Sequence, residues 1–184
     1  AQQRLQRALL EHREPFALLT GETGTGKTAL LRELRAEIDR ARYRVVYFAQ
    51  ARKLGAVGLI KVIGESLRVR PSLCRALAEE PRTLLLWLDE AHDLPEETLA
   101  EARAITESDL AGTGPIQVLL VGLPKLRAQL QAQPALWRRI GVREEITGLR
   151  FEELNAFLAH HLDSPQRLCE QGLGALFEHA KGVP

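Results

Sequence analysis

Methionine is absent from this 184-residue chain, and cysteine occurs only twice. With a start at Ala1 and an end at Gly182-Val183-Pro184, the missing methionine leads us to expect a trimmed fragment, or a sequence that has lost modified methionines. Cys74 and Cys169 are isolated, which excludes a disulfide framework and a cysteine-based metal site; inert thiols in a reducing compartment are expected. No apolar run approaches the roughly 20 residues of a membrane span, and no signal-peptide pattern opens the chain, so a cytoplasmic protein is expected. Excess charge is lacking too. Lys and Arg total 25 against 24 Asp and Glu, a balance that does not announce nucleic acid but leaves room for a local basic face. The apolar fraction of 45% is that of an ordinary globular protein with a sizeable core, in one domain or one with a small appendage.

What is present is concentrated in Gly21-Glu22-Thr23-Gly24-Thr25-Gly26-Lys27-Thr28, which fits the phosphate-binding loop G-x-x-x-x-G-K-[ST] at every fixed position. The apolar run Phe16–Leu19 precedes it and a helical pattern from Ala29 to Asp39 follows, which is the strand–loop–helix context the motif requires. Glycines let the backbone turn its N–H groups toward phosphates, and the helix adds its positive end. Residues Gly21 to Ala29 are therefore the candidate nucleotide-binding set. Lys27 would reach the β- and γ-phosphates, and the Thr28 hydroxyl would hold Mg²⁺. A glycine-rich turn that binds nothing is the bland alternative.

Along the chain, Gln2–His12 has helical spacing and is broken by Pro15. Strands are expected at Phe16–Leu19, Arg44–Ala49, Thr83–Leu88, Ile116–Val121 and Val142–Ile146. The uninterrupted apolar run Thr83–Leu88 suits a central parallel strand covered on both faces. Helices are expected over Leu54–Leu67, Ser72–Glu79, a segment from about Asp93 to Glu107, Lys125–Gln131 and Ala135–Arg139. Alternation of strands and helices predicts an α/β fold with a parallel five-stranded sheet flanked by helices. After Gly148 the alternation stops, and Phe151–Leu162 and Leu168–Ala180 read as purely helical. The expected division is a nucleotide-binding domain over 1–149 and the start of a small helical lid over 150–184.

The strand Leu84–Leu88 ends in Asp89-Glu90, the Walker B pattern. Ligands of parallel α/β sheets sit at the carboxyl ends of strands, so these acids and the phosphate loop are expected to converge. Asp89 would hold Mg²⁺ directly or through water, and Glu90 would position and deprotonate the attacking water. Adjacent acids at a solvated helix start are the alternative. Asp89-Glu90-Ala91-His92 also spells the helicase box DEAH, but helicases of that kind need two recombinase-like domains and this chain has room for one. His92 is expected to make local hydrogen bonds near the site.

These motifs, with Ile116–Leu130 and Trp137-Arg138-Arg139-Ile140 in that order, resemble the AAA+ P-loop ATPases over nearly the whole chain. Within them the chain looks most similar to the ExeA-like group, which is related to MuB- and TniB-type transposition ATPases. The resemblance implies ATP as nucleotide and Mg²⁺ as metal, with adenine over guanine resting on it alone. It also implies a homo-oligomer, with double-stranded DNA or a protein such as a transposase or secretion component as partner. Family members carry a polar sensor 1 residue at the end of the fourth strand, commonly in Gly-Gln-Pro. Here Gly122-Leu123-Pro124 stands instead, so either activity is weak or another residue serves; Gln117 is the nearest amide but lies early in the strand. Arg138 and Arg139 match the region of the family's arginine finger, which acts on a neighbouring subunit's nucleotide; a solvated basic helix end is the equal alternative. The family's second sensor arginine, in a Gly-x-Pro-Arg segment, is expected beyond Gly182-Val183-Pro184.

Other polar clusters carry less. His160-His161 point to different helix faces and make a poor metal pair. Glu144-Glu145 are expected to be surface charges, and the basic stretch Arg32, Arg35, Arg40, Arg42 and Arg44 a solvated surface, with contact to DNA or a partner as its alternative. The functional expectation is a Mg²⁺-dependent ATPase that works as an oligomeric helper in DNA transactions or in a secretion-type assembly. A nucleotide-gated scaffold with little hydrolysis is the first alternative. A small-molecule phosphotransferase is the second, disfavoured because Glu90 beside Asp89 suits water as acceptor. Titration calorimetry separates the assigned roles: Lys27→Ala is expected to weaken ATP binding, whereas Glu90→Gln is expected to bind ATP and fail to turn it over.

Overall fold

The computed structural model of the chain describes residues 1–51, 54, 55, 58, 59, 61, 63, 82–107, 116–161, 170–180 and 183. The expected helix Leu54–Leu67 falls mostly outside these residues. The helix Ser72–Glu79, both cysteines, Gly182, Pro184 and the side chains of His160 and His161 lie outside them.

Five strands, β1 (Phe16–Gly21), β2 (Tyr43–Phe48), β3 (Thr83–Leu88), β4 (Ile116–Gly122) and β5 (Ile140–Ile146), form one sheet in the order β2-β3-β4-β1-β5. Every pairing is parallel. The three inner strands β3, β4 and β1 are buried at every position, because helices cover both faces; their few polar side chains, Thr20, Thr83 and Gln117, are buried with them. The edge strands β2 and β5 mix buried, partly buried and exposed positions.

One face is covered by the N-terminal helix α1 (Gln2–Gln6) with its continuation, and by α2 (Lys27–Glu37). Leu31, Leu34 and Ile38 pack there against Leu85, Trp87, Leu119 and Val121. The opposite face is covered by α3 (Glu96–Glu107), α4 (Lys125–Gln131) and α5 (Pro134–Trp137), whose Leu99, Leu126, Leu130 and Leu136 meet Leu84, Leu86, Val118 and Leu120. Two further helices, α6 (Phe151–His161) and α7 (Glu170–Ala180), follow the sheet; Phe151 and Phe177 join them edge to face with ring centroids 5.5 Å apart. Among the described residues no helix is long and apolar enough to cross a membrane.

Three local differences from the sequence reading have physical causes. The helix expected over Gln2–His12 widens after Gln6 into a π-wound turn, Arg7–Glu11, in which the His12 N–H donates to the Arg7 carbonyl. β5 begins two residues early, because Gly141 is inserted as an extra residue opposite β1 and the Glu14 side chain fills the space its Cβ would need. The segment after Asp89 first makes a 3₁₀ turn, Ala91–Asp93, so α3 starts at Glu96 and not at Asp93. Leu86 is fully buried in the middle of β3. Replacing it with alanine is expected to lower the unfolding free energy, read from urea denaturation, by about 2–5 kcal/mol.

Candidate functional site

β1 ends at Gly21 and β3 at Leu88, and β4 lies between them in the same direction. The loop after β1 and the acids after β3 therefore emerge at one edge of the sheet. They enclose a cleft of about 290 Å³ lined by Thr23, Gly24, Gly26, Lys27, Thr28, Ala29, Asp89 and Glu90. Gly24 (φ 83°) and Gly26 (φ 91°) adopt the left-handed backbone that turns the loop into the first residue of α2. Gly21, Glu22 and Thr25 build the loop from behind. A Cβ on Gly21 would come within 2.6 Å of the Ile146 carbonyl oxygen, so the loop can lie this close to β5 only with glycine there.

Lys27 is buried, and its Nζ donates to the carbonyls of Gly21 and Glu22, both at 2.7 Å. An ammonium has three protons, so one remains for a ligand in the cleft. Asp89 is buried as well. Its Oδ2 accepts from the Tyr47 hydroxyl at 2.8 Å, and its Oδ1 accepts from the Glu90 N–H at 2.9 Å. Burial, followed by this bond to Asp89, pushes the Tyr47 hydroxyl up to about 12, so it remains a donor throughout the neutral range. Glu90 is one of two non-glycine residues with positive φ among those described (φ 56°, ψ 34°), a conformation that costs on the order of 1–3 kcal/mol. Its side chain is 48% exposed at the mouth of the cleft. His92, 5% exposed, accepts at Nδ1 from the Leu123 N–H, and its Nε2 lies 3.4 Å from Glu90 Oε2.

Oxygen donors from a buried carboxylate and a hydroxyl, Asp89 and Thr28, share the cleft with Lys27. That donor set suits a hard cation of the Mg²⁺ kind, which binds through one or two carboxylates and substrate phosphates. Val183, beyond α7, lies against the loop; its methyl group fills the space a Cβ on Gly24 would occupy.

Not every predicted residue enters the cleft. Arg138 and Arg139 stand just before β5, where Ile140 is level with Phe16, whereas the loop leaves β1 at Gly21, level with Ile146. At about 3.3 Å per residue the two ends are roughly 17 Å apart along the strands. Arg138 is exposed, and the turn that carries the pair is clamped by Arg143. The Arg143 guanidinium lies 4.0 Å from the Trp137 ring centroid and donates to the Trp137 carbonyl at 2.7 Å. Gln117 sits near the start of β4, where its amide donates to the Glu14 carbonyl at 2.9 Å, remote from the cleft. Arg32, Arg35, Arg40 and Arg42 are exposed, as expected, whereas Arg44, in β2, is partly buried. Glu144 is not the surface charge expected of it: it is 8% exposed, and Arg4 of α1 pairs with it at 3.0 Å. Glu145 is exposed and pairs with Arg127.

Tyr47 escaped the sequence reading. Its signal is the register that places it opposite Trp87, two residues before Asp89, and this is visible only once β2 is known to pair with β3.

The pattern of the family described as "AAA domain" matches residues 10–130. General secretion pathway protein A of Aeromonas hydrophila is 31% identical over 163 residues, covering 80% of this chain and 29% of that protein. Among solved structures, Cdc6p from Pyrobaculum aerophilum is similar with a TM-score of 0.65 and 24% identity, over 86% of this chain and 48% of that one. The ADP form of ORC2 from Aeropyrum pernix gives a TM-score of 0.69 with 18% identity, over 90% of this chain and 54% of that one. The chain thus spans less than a third of the secretion protein and about half of the structural neighbours. At these identities the structural likenesses speak for the fold.

Crowding at Gly21 gives a direct check. Gly21→Ala is expected to cost about 1–3 kcal/mol of stability in urea denaturation, since β5 or the loop must shift, and to weaken nucleotide binding with it.

Proposed function

Because the chain belongs to the AAA domain family of P-loop ATPases, we propose that it binds ATP with Mg²⁺ and hydrolyses it. The observation that carries this reading is the single cleft shared by Thr23, Gly24, residues Gly26 to Ala29 and the Asp89-Glu90 pair. Loop N–H groups and the start of α2 would hold the phosphates, with Lys27 supplying its remaining proton to them. Thr28 and Asp89 would hold Mg²⁺, which when bound neutralises charge on the phosphate oxygens. Tyr47 keeps the Asp89 carboxylate oriented. Glu90, at the mouth of the cleft, would orient a water and take its proton as that water attacks the γ-phosphate. Arg138 and Arg139 are too far from this cleft to serve it, so a finger role for either requires a second subunit against the cleft.

Residues 1–149 are read as the nucleotide-binding domain and 150–184 as the start of a lid; Val183 against Gly24 supports a lid that reaches the loop. In the cell, we place the chain as an oligomeric helper in a secretion-type assembly or a DNA transaction of the transposition kind. Likeness to a general secretion pathway protein supports the first. A structural neighbour solved in complex with DNA, ORC1 of Aeropyrum pernix, accompanies the second. A nucleotide-gated scaffold with little turnover is the second reading, favoured by Leu123, whose side chain offers no hydrogen bond at the end of β4.

ATP turnover with Mg²⁺ on the full-length protein, with and without double-stranded DNA, tests these readings. Turnover that is lost in Glu90→Gln and whose specific rate rises with protein concentration is expected; stimulation by DNA would select the DNA transaction. Tight binding without turnover in any condition would select the scaffold. A specific rate that is flat across the monomer–oligomer range would remove Arg138 and Arg139 from catalysis.

A further inference from the structure

His92 is more tightly constrained than a residue in a surface turn needs to be. Its backbone carbonyl accepts from the Gln129 amide of α4 at 3.1 Å, and its ring packs so closely on Gly122 that a Cβ there would come within 3.0 Å of Nδ1. Nδ1 faces the Leu123 N–H at 3.3 Å. A backbone N–H can only donate, so Nδ1 is the acceptor and the neutral ring carries its proton on Nε2. Two carboxylates lie within 4 Å of Nε2. Glu90 Oε2 is at 3.4 Å and Asp93 Oδ2 at 3.7 Å. Asp93 is engaged from the other side by Lys125, whose Nζ donates to its Oδ1 at 3.0 Å. Glu90 is thus the nearer acceptor, and among the described residues no lysine or arginine pairs with it.

We propose that His92 is a positioning residue for the Glu90 carboxylate: its Nε2–H holds the acid at the mouth of the cleft, and its Nδ1 ties that hold to the end of β4. Glu90 needs such a hold because its side chain is half exposed on a left-handed backbone. Leu123 contributes only its N–H. The polar contact that its side chain cannot make at the end of β4 is supplied by the imidazole of the neighbouring strand's loop. This assignment rests on the reading of Glu90 as the group that activates water.

The test compares wild type, Glu90→Gln, His92→Phe, His92→Gln and His92→Asn in the full-length protein, measuring kcat and ATP affinity for each. Phenylalanine fills the site of the ring without a donor. His92→Phe is expected to lower kcat about tenfold or more, with ATP affinity within about twofold of wild type. Intact affinity also reports a folded cleft. Glutamine places an amide donor near the Nε2 position and is expected to restore most of kcat, while asparagine reaches only the Nδ1 position and is not. Wild-type kcat in His92→Phe, or equal loss in the glutamine and asparagine variants, would overturn the assignment while an inactive Glu90→Gln left the reading of Glu90 standing. Turnover that persists in Glu90→Gln would overturn both.

Discussion

β4 is paired in parallel with β1 on one side and with β3 on the other, and the cleft exists because of this sharing. Ladder hydrogen bonds fix the heights of Gly21 and Leu88 relative to Gly122, so loop and acids cannot slide past each other without breaking the sheet. Complete burial of these three strands makes such slippage costly, since a one-residue shift would turn every side chain toward the opposite layer. The flanking helices then act as walls. Leucines from α2 seal one face, and those of α3 and α4 seal the other. Chemistry is left to the one edge where backbone N–H groups are not consumed by the sheet.

Within that edge the polar groups are largely committed before any ligand arrives. Lys27 is held by two carbonyls of its own loop, and both oxygens of Asp89 have protein donors. A buried ammonium and a buried carboxylate are tolerable only because each is hydrogen-bonded in this way. Preorganisation of this kind lowers the ordering cost that a ligand would otherwise meet on binding. The exposed exception is Glu90, the group assigned the moving proton, beside which His92 stands. Arginine plays a comparable fixing role on the far side of the molecule, where Arg143 stacked on Trp137 holds the turn bearing Arg138 and Arg139.

The strands and the phosphate loop were legible because their signals are local. Thr83–Leu88 has no polar alternation, and it is indeed a strand covered on both sides. The motif Gly21–Thr28 carries its own geometry, with the two positive-φ positions falling on glycine. Failures follow sequence separation. Glu144 looked like a surface charge because nothing near it in the chain announces Arg4, which reaches it only after α1 folds over β5. Tyr47 has its partner 42 residues away, and His92, expected to bond near the site, does so with Leu123, 31 residues away; no spacing rule names either partner. The early start of β5 depends on Glu14 filling the space beside Gly141, again a contact across the fold. Arg138 and Arg139 are a different case: an arginine finger acts on another subunit's nucleotide, so no contact within one chain can announce it.

The left-handed backbone at Glu90 sets stability and chemistry against each other at one position. Glycine or asparagine would sit there with less strain than glutamate. Selection of a variant library for heat resistance alone would therefore drift away from the native residue at 90, and its hardiest survivors would be those that had discarded the carboxylate.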